Sequence, residues 1–208
     1  MLKVGRPVLA AGQRSVLGSA PTLQVRTGSN ELSPPLAQLQ YQASDSISHT
    51  LHEQIAGRMM AYDPAQAAPI QTLLVSGEVW RDFDGLLSRL GLSSRNIADV
   101  MTSYYVGSWE VVNQTVASAA FWLGARKQIA ASLSRSPEIL LMSDSEKQRS
   151  SETLGIVTAV TSSAWQAMQV QGDQIGLLAL QSSVHQSLLQ QGIDMKRLKL
   201  SQRGFAPG

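Results

Sequence analysis

The sequence predicts an all-α protein: a bundle of five or six helices with extended segments at its N- and C-terminal ends. Apolar side chains recur at steps of three and four residues through most of the chain, as they do on the buried face of a helix. Ser, Asp and Asn residues that can cap helices precede these stretches, and Gly or Pro follows them. No strong run of alternating apolar and polar residues marks a strand.

Composition sets limits on the class of protein. A chain of 208 residues with 43% hydrophobic and 15% charged residues can bury a core. The net charge of +2 is too small to indicate nucleic-acid binding, so no nucleic-acid partner is predicted. The absence of cysteine excludes disulfides and thiolate chemistry. No apolar run reaches the roughly 18 residues of a membrane-spanning helix, so no transmembrane segment is predicted.

Residues 1–35 are predicted to form an extended or disordered basic arm. The apolar run Val8–Ala11 is stopped by Gly12, which makes it too short for the core of a secretory signal peptide. A processed start is the alternative. The arm has no acidic residue before Glu31, and its basic residues are Lys3, Arg6, Arg14 and Arg26.

Two helices are predicted after the break at Ser33-Pro34-Pro35. The first runs over Ala37–Met60, and Tyr62-Asp63-Pro64 ends it because the residue before proline is pushed out of the helical region. The second runs over Ala65–Leu90, either as one helix or as two pieces around Ser76-Gly77. Gly91 is a suitable stop for it.

The next helix, Ser94–Asn113, is predicted to be the element around which the others pack. Its apolar residues are spaced by three or four and include Tyr104 and Trp109, whose side chains bury large areas. Ser93 or Ser94 is the predicted cap. Asn96 and Asp99 are predicted to have structural roles at its start, where capping side chains and carboxylates are favourable; a polar site beneath a cleft is the alternative.

Four further segments complete a predicted domain over residues 36–192. A helix is expected within 116–134, and Ser136-Pro137 starts a short turn or helix. Asp144 or Ser145 caps a long helix that ends near Gly172. Asp173 caps the last helix, Gln174–Gln191.

Residues 193–208 are predicted to form a basic, extended tail in which 198–200 either pairs as a strand or stays extended. Both ends of the chain are expected to become ordered only on a partner, because their scattered apolar side chains do not offset the cost of ordering the backbone. The tail carries the clearest cluster of charge, Lys196, Arg197, Lys199 and Arg203.

His49 and His52, three residues apart, could present two imidazoles to a metal ion, with Asp45 and Glu53 nearby. The spacing lacks the order of a zinc protease, and His185 is the one remaining imidazole, so solvated histidines on a helix are the preferred interpretation. Two other patterns are assigned to structure: Asp82-Phe-Asp84-Gly85 does not complete a calcium loop, and Gly107-Ser108 allows close helix packing. No catalytic, cofactor-binding or metal-binding residue is assigned.

Two sets of residues carry a family resemblance. The first is Gly91-Leu92, Asn96-Ile97-Ala98-Asp99, Tyr104-Tyr105, Trp109 and Asn113; the second is Gly192-Ile193-Asp194, Leu198-Lys199-Leu200-Ser201 and Gly204-Phe205. Over residues 80–206 the chain resembles a family of uncharacterised bacterial proteins, generally exported, that is defined only as a domain of unknown function. The resemblance implies no agreed activity, cofactor or site residues.

The preferred functional hypothesis is a non-enzymatic structural or protein-interaction module, an accessory subunit of a bacterial envelope assembly with a protein partner. Its location is then periplasmic or associated with the cell envelope, and the cytoplasm is the alternative. The alternative function is a small hydrolase or metal-dependent enzyme that uses His49, His52 and nearby carboxylates.

Overall fold

The computed structural model describes residues 36–62 and 64–208, in which eight α-helices and a β-hairpin make up the regular structure. The predicted all-α class is confirmed. The predicted N-terminal arm, residues 1–35, lies outside the described residues. The elements are a 3-10 turn (Leu36–Leu39), α1 (Asp45–Tyr62), α2 (Pro64–Val75), α3 (Glu78–Arg89), α4 (Ile97–Asn113), α5 (Ala119–Leu133), α6 (Pro137–Leu140), α7 (Asp144–Gln171), α8 (Gln174–Leu189), a second 3-10 turn (Met195–Arg197), β1 (Leu198–Ser201) and β2 (Gly204–Pro207).

The helices outnumber the predicted five or six for two local reasons. Gly77 adopts the left-handed conformation, with φ at 73°, and separates α2 from α3 within the segment 65–90. Ser136 and Pro137 start the one-turn helix α6, as their sequence indicates. In the part of the chain that the structure describes, no helix combines the length and apolar character that a bilayer span requires.

The first helix begins at Asp45, eight residues later than predicted. The backbone before it is extended because it pairs with the loop that precedes α4: Tyr41 N donates to Arg95 O at 3.1 Å, and Gln40 forms an isolated bridge with Asn96. This tertiary pairing overrides the local helical pattern of residues 37–44.

Helix α4 lies at the centre of the molecule, as predicted, and packs against α5, α7 and α8. Every residue from Ile97 to Ser108 is buried, so the helix is covered on all faces and not along one stripe. Its buried hydroxyl groups bond within the helix: Thr102 Oγ1 donates to Ala98 O, and Ser103 Oγ donates to Val100 O, each at 2.7 Å.

The start of α4 agrees with the structural roles expected for Asn96 and Asp99. The cap is Asn96, two or three residues after the predicted Ser94 and Ser93, and its side chain accepts from Ala98 N and Asp99 N. The Asp99 carboxylate accepts from Ser93 N at 2.9 Å and from two Arg126 nitrogens at 2.6 and 2.8 Å. Asp99 therefore joins the incoming loop, α4 and α5.

The C-terminal segment 193–208 packs on the chain's own core, which differs from the expected tail ordered only on a partner, whereas the alternative in which 198–200 pairs as a strand is confirmed. Ile193, Met195, Leu200 and Phe205 are buried in the main hydrophobic cluster. Strands β1 and β2 pair antiparallel, with Leu200 opposite Phe205. The expectation that the tail orders only on a partner is wrong because the hairpin brings these apolar side chains to one core. Their spacing along the sequence does not show that contact. The four basic residues of the tail remain exposed: Lys196, Arg197, Lys199 and Arg203.

Helices α4 and α5 hold the hairpin through side-chain bonds to its backbone. Gln128 Nε2 donates to Phe205 O at 2.8 Å, and Gln128 Oε1 accepts from Phe205 N at 2.7 Å. Trp109 Nε1 donates to Leu198 O at 2.9 Å. The turn approaches α5 so closely at Gly124 that a Cβ there would lie 2.8 Å from Gly204 N. The hairpin is thus an integral part of the fold.

Candidate functional site

The N-terminal half of α7 buries polar side chains. Gln148, Ser151 and Glu152 are each exposed by no more than 1%, and Lys147 by 7%. Asp144, Gln148 and Glu152 are spaced by four residues, so they lie along one face of the helix. Burial of a polar group costs free energy unless the group has a hydrogen-bonding partner. The partners of these side chains therefore show the role of this face of α7.

The extended segment before α1 supplies many of those partners. Gln148 forms two bonds with the backbone of Ser44: its Oε1 accepts from Ser44 N at 2.9 Å, and its Nε2 donates to Ser44 O at 2.8 Å. Gln42 N donates to Asp144 Oδ2 at 3.1 Å, and Lys147 Nζ donates to Gln38 O at 3.1 Å. These bonds fix how the chain enters α1 and therefore where α1 lies against α7.

His52 of α1 and Glu152 of α7 form a buried pair. His52 Nε2 lies 3.0 Å from Glu152 Oε2, and their side chains are 4% and 1% exposed. The two groups are in close contact, although neither atom forms a hydrogen bond of regular geometry among the described residues. The other carboxylate oxygen, Glu152 Oε1, accepts from Ser48 Oγ at 2.7 Å and from Gln148 Nε2 at 2.8 Å. The carboxylate is therefore held on both oxygens.

This arrangement determines the charge of Glu152. Burial on its own raises the pKa of Glu152, but the hydrogen bonds from His52, Ser48 and Gln148 outweigh burial and hold that pKa below its usual value of 4.5. The carboxylate is therefore ionised at neutral pH. An ionised carboxylate facing Nε2 favours the imidazole form with a hydrogen on that nitrogen.

A cleft of about 370 Å³ opens above this pair. Helix α1 supplies one wall and α3 the other, while Glu152 of α7 lies at the base. Trp80 is half-buried in the α3 wall. The cleft has charged groups of both signs, and its ionisable lining side chains are Tyr41, Asp45, His49, His52, Arg81, Asp84, Arg95 and Glu152.

Gly155 sets the distance between the α3 wall and α7. A Cβ at Gly155 would lie 2.5 Å from Trp80 Cζ3 and 2.6 Å from Phe83 Cε1. The two aromatic rings, 5.4 Å apart between centroids, therefore rest directly on the α7 backbone. The wall that Trp80 contributes is fixed by this close packing.

Polar contacts hold the rim of the cleft. Ser94 Oγ donates to Asp84 Oδ1, and Tyr41 Oη donates to Ser94 O at 2.7 Å. Burial raises the pKa of Tyr41, so its phenol stays neutral. Arg81 Nη1 donates to Ser76 O at 3.0 Å. The rim is thus connected to the backbone on both sides of α3.

The two histidines singled out in the sequence line the same cleft but have different environments. His49 is 65% exposed, and its Nδ1 lies 3.4 Å from Glu53 Oε2, whereas His52 is buried against Glu152. His185 lies elsewhere, with its Nε2 3.8 Å from Asp194 Oδ1. The described residues contain no group of three or more His, Asp or Glu side chains placed to hold a metal ion.

The other patterns noted in the sequence have structural positions. Asp84 reaches the cleft, and Asp82 is exposed on α3 without lining it. A Cβ at Gly107 would lie 3.7 Å from Thr158 Cγ2, which is an ordinary contact distance, so the packing of α4 against α7 does not depend on glycine at this position as the sequence had suggested.

Sequence reasoning missed Glu152 and Gln148. The signal that could have identified them is their position on a helix whose apolar spacing predicts burial: Glu152 lies four residues before Ile156, and Gln148 lies four residues before Glu152. Polar side chains on such a face are candidates for a buried network, although their partners 100 or more residues away are not visible in the pattern.

Searches of curated proteins and of solved structures found no match. Residues 16–206 match a family of unknown function, DUF6683. This match spans nearly the whole chain and agrees with the resemblance carried by the α4 and C-terminal motifs. The protein therefore belongs to the DUF6683 family.

Proposed function

We propose that this protein is a non-enzymatic structural or protein-interaction module, an accessory subunit of a bacterial envelope assembly, which holds a segment of its partner in the cleft above His52 and Glu152. The observation that carries the proposal is the cleft itself, an open space of about 370 Å³ with a buried, prearranged polar base. Rigid polar groups lower the ordering cost of binding.

A polypeptide segment suits the chemistry of the cleft. Its backbone offers both donors and acceptors, and its side chains carry either charge. The cleft presents Arg81 and Arg95 together with Asp45 and Asp84, so neither sign dominates its exposed rim. Complementary charges of this kind favour one partner over others more than they raise affinity.

The bonding of Ser48 supports binding over acyl transfer. In a Ser-His-acid triad, the serine hydroxyl bonds to the histidine, which removes its proton. Here Ser48 Oγ donates to Glu152 Oε1 and not to His52. The serine, the carboxylate and Gln148 form a fixed base for the cleft.

The envelope location is supported by the motifs shared with the generally exported family. Cell fractionation of the native bacterium tests it: the protein is expected in the periplasmic or envelope fraction, and recovery in the cytoplasm would contradict this part of the proposal.

A second candidate function is hydrolysis with His52 as a general base. The favouring observation is that Glu152 Oε2 lies 3.0 Å from His52 Nε2, where a carboxylate can orient an imidazole that acts as a base. The other ring edge faces the turn at Gly77, where a Cβ would lie 3.6 Å from His52 Nδ1.

Photo-crosslinking in the native bacterium tests the binding proposal. A photoreactive residue in place of Arg95, at the cleft, is expected to form one discrete protein adduct, and the same residue in place of exposed Lys127 on α5 is the matched control. Arg81→Glu should reduce the adduct about tenfold, because reversing a rim charge opposes the partner's charge.

Equal adducts from Arg95 and Lys127, or no adduct from either, would contradict the cleft as the binding site. A substrate turned over by the wild type but not by His52→Gln, with the melting temperature unchanged, would favour hydrolysis instead.

A further inference from the structure

The surface that α5 and the C-terminal hairpin share is basic. Residues 111–137 and 195–208 contain no acidic residue, although the whole chain has 15 acidic and 17 basic residues. Five basic side chains of these segments are exposed and form no ion pair in the part of the chain that the structure describes. We call these five residues the basic face: Lys127, Lys196, Arg197, Lys199 and Arg203.

Helix α4 fixes one half of the basic face through bonds to the backbone. Trp109 Nε1 donates to the carbonyl of Leu198, the residue directly before Lys199. Asn113 Nδ2 donates to Met195 O at 3.3 Å, and the two cations that follow Met195 are exposed. These cations are therefore held at defined positions on the surface of the folded domain.

The strand β1, the hairpin turn and α5 supply the other half. Successive side chains of a strand point to opposite faces, so Lys199 is exposed while Leu200 is buried. The turn that carries Arg203 lies directly on α5, since a Cβ at Gly124 would collide with the backbone of the turn. Lys127 is exposed three residues later on the same helix. The cations of the hairpin and of α5 thus belong to neighbouring elements.

Two carboxylates lie beside the basic face, and both are bonded within the chain. Glu110 Oε1 accepts from Ala117 N at 2.8 Å, and the Glu110 carboxylate also bonds to the side chain of Trp122. Asp194 Oδ1 accepts from Lys196 N at 3.1 Å, where it caps the second 3-10 turn. Neither carboxylate forms an ion pair with a cation of the basic face among the described residues. The face therefore keeps an excess of positive charge.

The aromatic side chains beside the basic face do not suit a nucleic acid. Binding of single strands uses exposed aromatic rings on which the bases stack. Here Phe205 is buried, and Trp109 and Trp122 are half-buried with their indole nitrogens bonded within the chain. The charge of the face is thus present without a surface for stacking.

An exposed apolar side chain beside the cations favours a bilayer over an acidic protein. Leu123 is 50% exposed and lies four residues before Lys127, on the same side of α5. At a bilayer surface, cations meet the headgroups while a neighbouring apolar side chain enters the boundary with the acyl chains. An acidic protein surface attracts the cations but leaves Leu123 facing charged groups.

We propose that the basic face binds the surface of an anionic phospholipid bilayer. Each Lys or Arg near such a surface adds to the attraction, and clusters of roughly four to eight are typical of lipid-binding segments. A bilayer presents headgroup charge to all five cations at once. The cleft has walls from α1 and α3, and none of the five cations lines it. Binding to lipid and binding in the cleft can therefore be lost independently.

Co-sedimentation of the full chain with large vesicles tests the proposal. At about 0.1 M salt the protein is expected to bind phosphatidylglycerol vesicles and not phosphatidylcholine vesicles, and about 0.5 M salt should release it by screening the charges. Lys199→Glu and Arg203→Glu should each weaken binding about tenfold or more, because each replaces an attraction by a repulsion. Arg89→Glu, exposed on α3, is the matched control with the same change of net charge and should bind like the wild type.

Leu123→Gln separates a bilayer from a soluble polyanion. This variant should bind phosphatidylglycerol vesicles about threefold more weakly, while its binding to soluble polyglutamate stays equal to that of the wild type. Melting temperatures of all four variants should match the wild type, because the substituted positions are exposed. A wild type that does not bind the anionic vesicles overturns the proposal, as does equal weakening by Arg89→Glu. Polyglutamate or duplex DNA bound as tightly as the vesicles also overturns it and assigns the face to an acidic protein or a nucleic acid.

Discussion

The carboxylate of Asp99 connects three parts of the fold: the loop before α4, α4 itself and α5. It is 1% exposed at the side chain, and it accepts bonds from Ser93 N and from two nitrogens of Arg126. Arg126 is 25% exposed, so the pair lies at the border of the core. Removing one partner of such a pair leaves the other poorly compensated.

Asp99→Ala is expected to lower the free energy of unfolding by about 3 kcal/mol, because it removes the bidentate bond to Arg126 and the bond to Ser93 N together. Asp99→Asn should cost less, since an amide oxygen can still accept from Ser93 N. Urea denaturation followed by tryptophan fluorescence measures both. Asp82→Ala, at an exposed position of α3, is the control and should stay within about 0.5 kcal/mol of the wild type.

An Asp99→Ala variant as stable as Asp82→Ala would contradict a structural role and favour a polar site. The sequence allowed part of this account to be predicted, because Asn96 and Asp99 act on the helix that they start. The partner Arg126, 27 residues later, follows only from the packing of α5 on α4.

At the scale of elements, the contact between α5 and the C-terminal hairpin depends on Gly124. A Cβ at this position would collide with backbone atoms of Gln202 and Gly204, and backbone atoms do not move aside as side chains do. Glycine has a lower helical propensity than other residues, but at this position of α5 it allows the turn of the hairpin to approach closely.

Gly124→Ala is expected to destabilise the protein by about 1–3 kcal/mol, as for other overpacked sites. Gly57→Ala in α1 is the matched control: a Cβ at Gly57 meets nothing within 4 Å, so the same substitution should stabilise the protein by about 0.5–1 kcal/mol. Thermal unfolding followed by circular dichroism compares the two. Equal effects of the two substitutions would show that the hairpin does not pack at Gly124.

The elements were predictable where their signals are local. Ser136-Pro137, Asp173 and Gly172 start or end helices at the positions that their own backbone preferences indicate. The start of α1 was not predictable, because residues 40–44 are held extended by contacts with Arg95 and Gln148. The packing of residues 193–208 on α4 and α5 likewise depends on distant side chains.

For the whole molecule, the buried network at Glu152 links stability to pH. The pKa of Glu152 is lower in the folded state than its ordinary value of 4.5, so the unfolded state binds more protons between these two values. The stability that the ionised carboxylate contributes is therefore fully present above pH 4.5. It is lost as the pH falls through the lower, folded-state pKa.

The difference in unfolding free energy between the wild type and Glu152→Gln is expected to be constant above about pH 5 and to shrink on further acidification. Urea denaturation at a series of pH values measures it. The comparison removes the contribution of Glu110, whose pKa is raised by burial and which acts in the opposite direction. A difference that grows on acidification would mean that Glu152 is not the stabilised carboxylate.

The overall class was predictable because helical periodicity and capping recur along the chain. The cleft was predictable only in part. The sequence identified His52 and His49 as a pair on one helix. In the structure their environments differ, because His52 is buried against Glu152 of α7 and His49 is exposed to solvent. The contact between His52 and Glu152, which are 100 residues apart, depends on how α1 and α7 pack. The sequence of neither helix shows this packing on its own.

The bonds between Gln128 and Phe205 also decide what the C-terminal hairpin offers to a neighbouring strand. A two-stranded sheet has two outer edges whose unpaired backbone groups can recruit a strand from another chain and begin aggregation. The Gln128 amide occupies both backbone groups of Phe205 on β2, and the Trp109 indole occupies the carbonyl of Leu198 on β1. Side chains from two helices thus occupy outward-facing backbone groups on both strands in place of further strands, and a chain without the Gln128 amide would expose the backbone groups of Phe205 to a strand from another molecule.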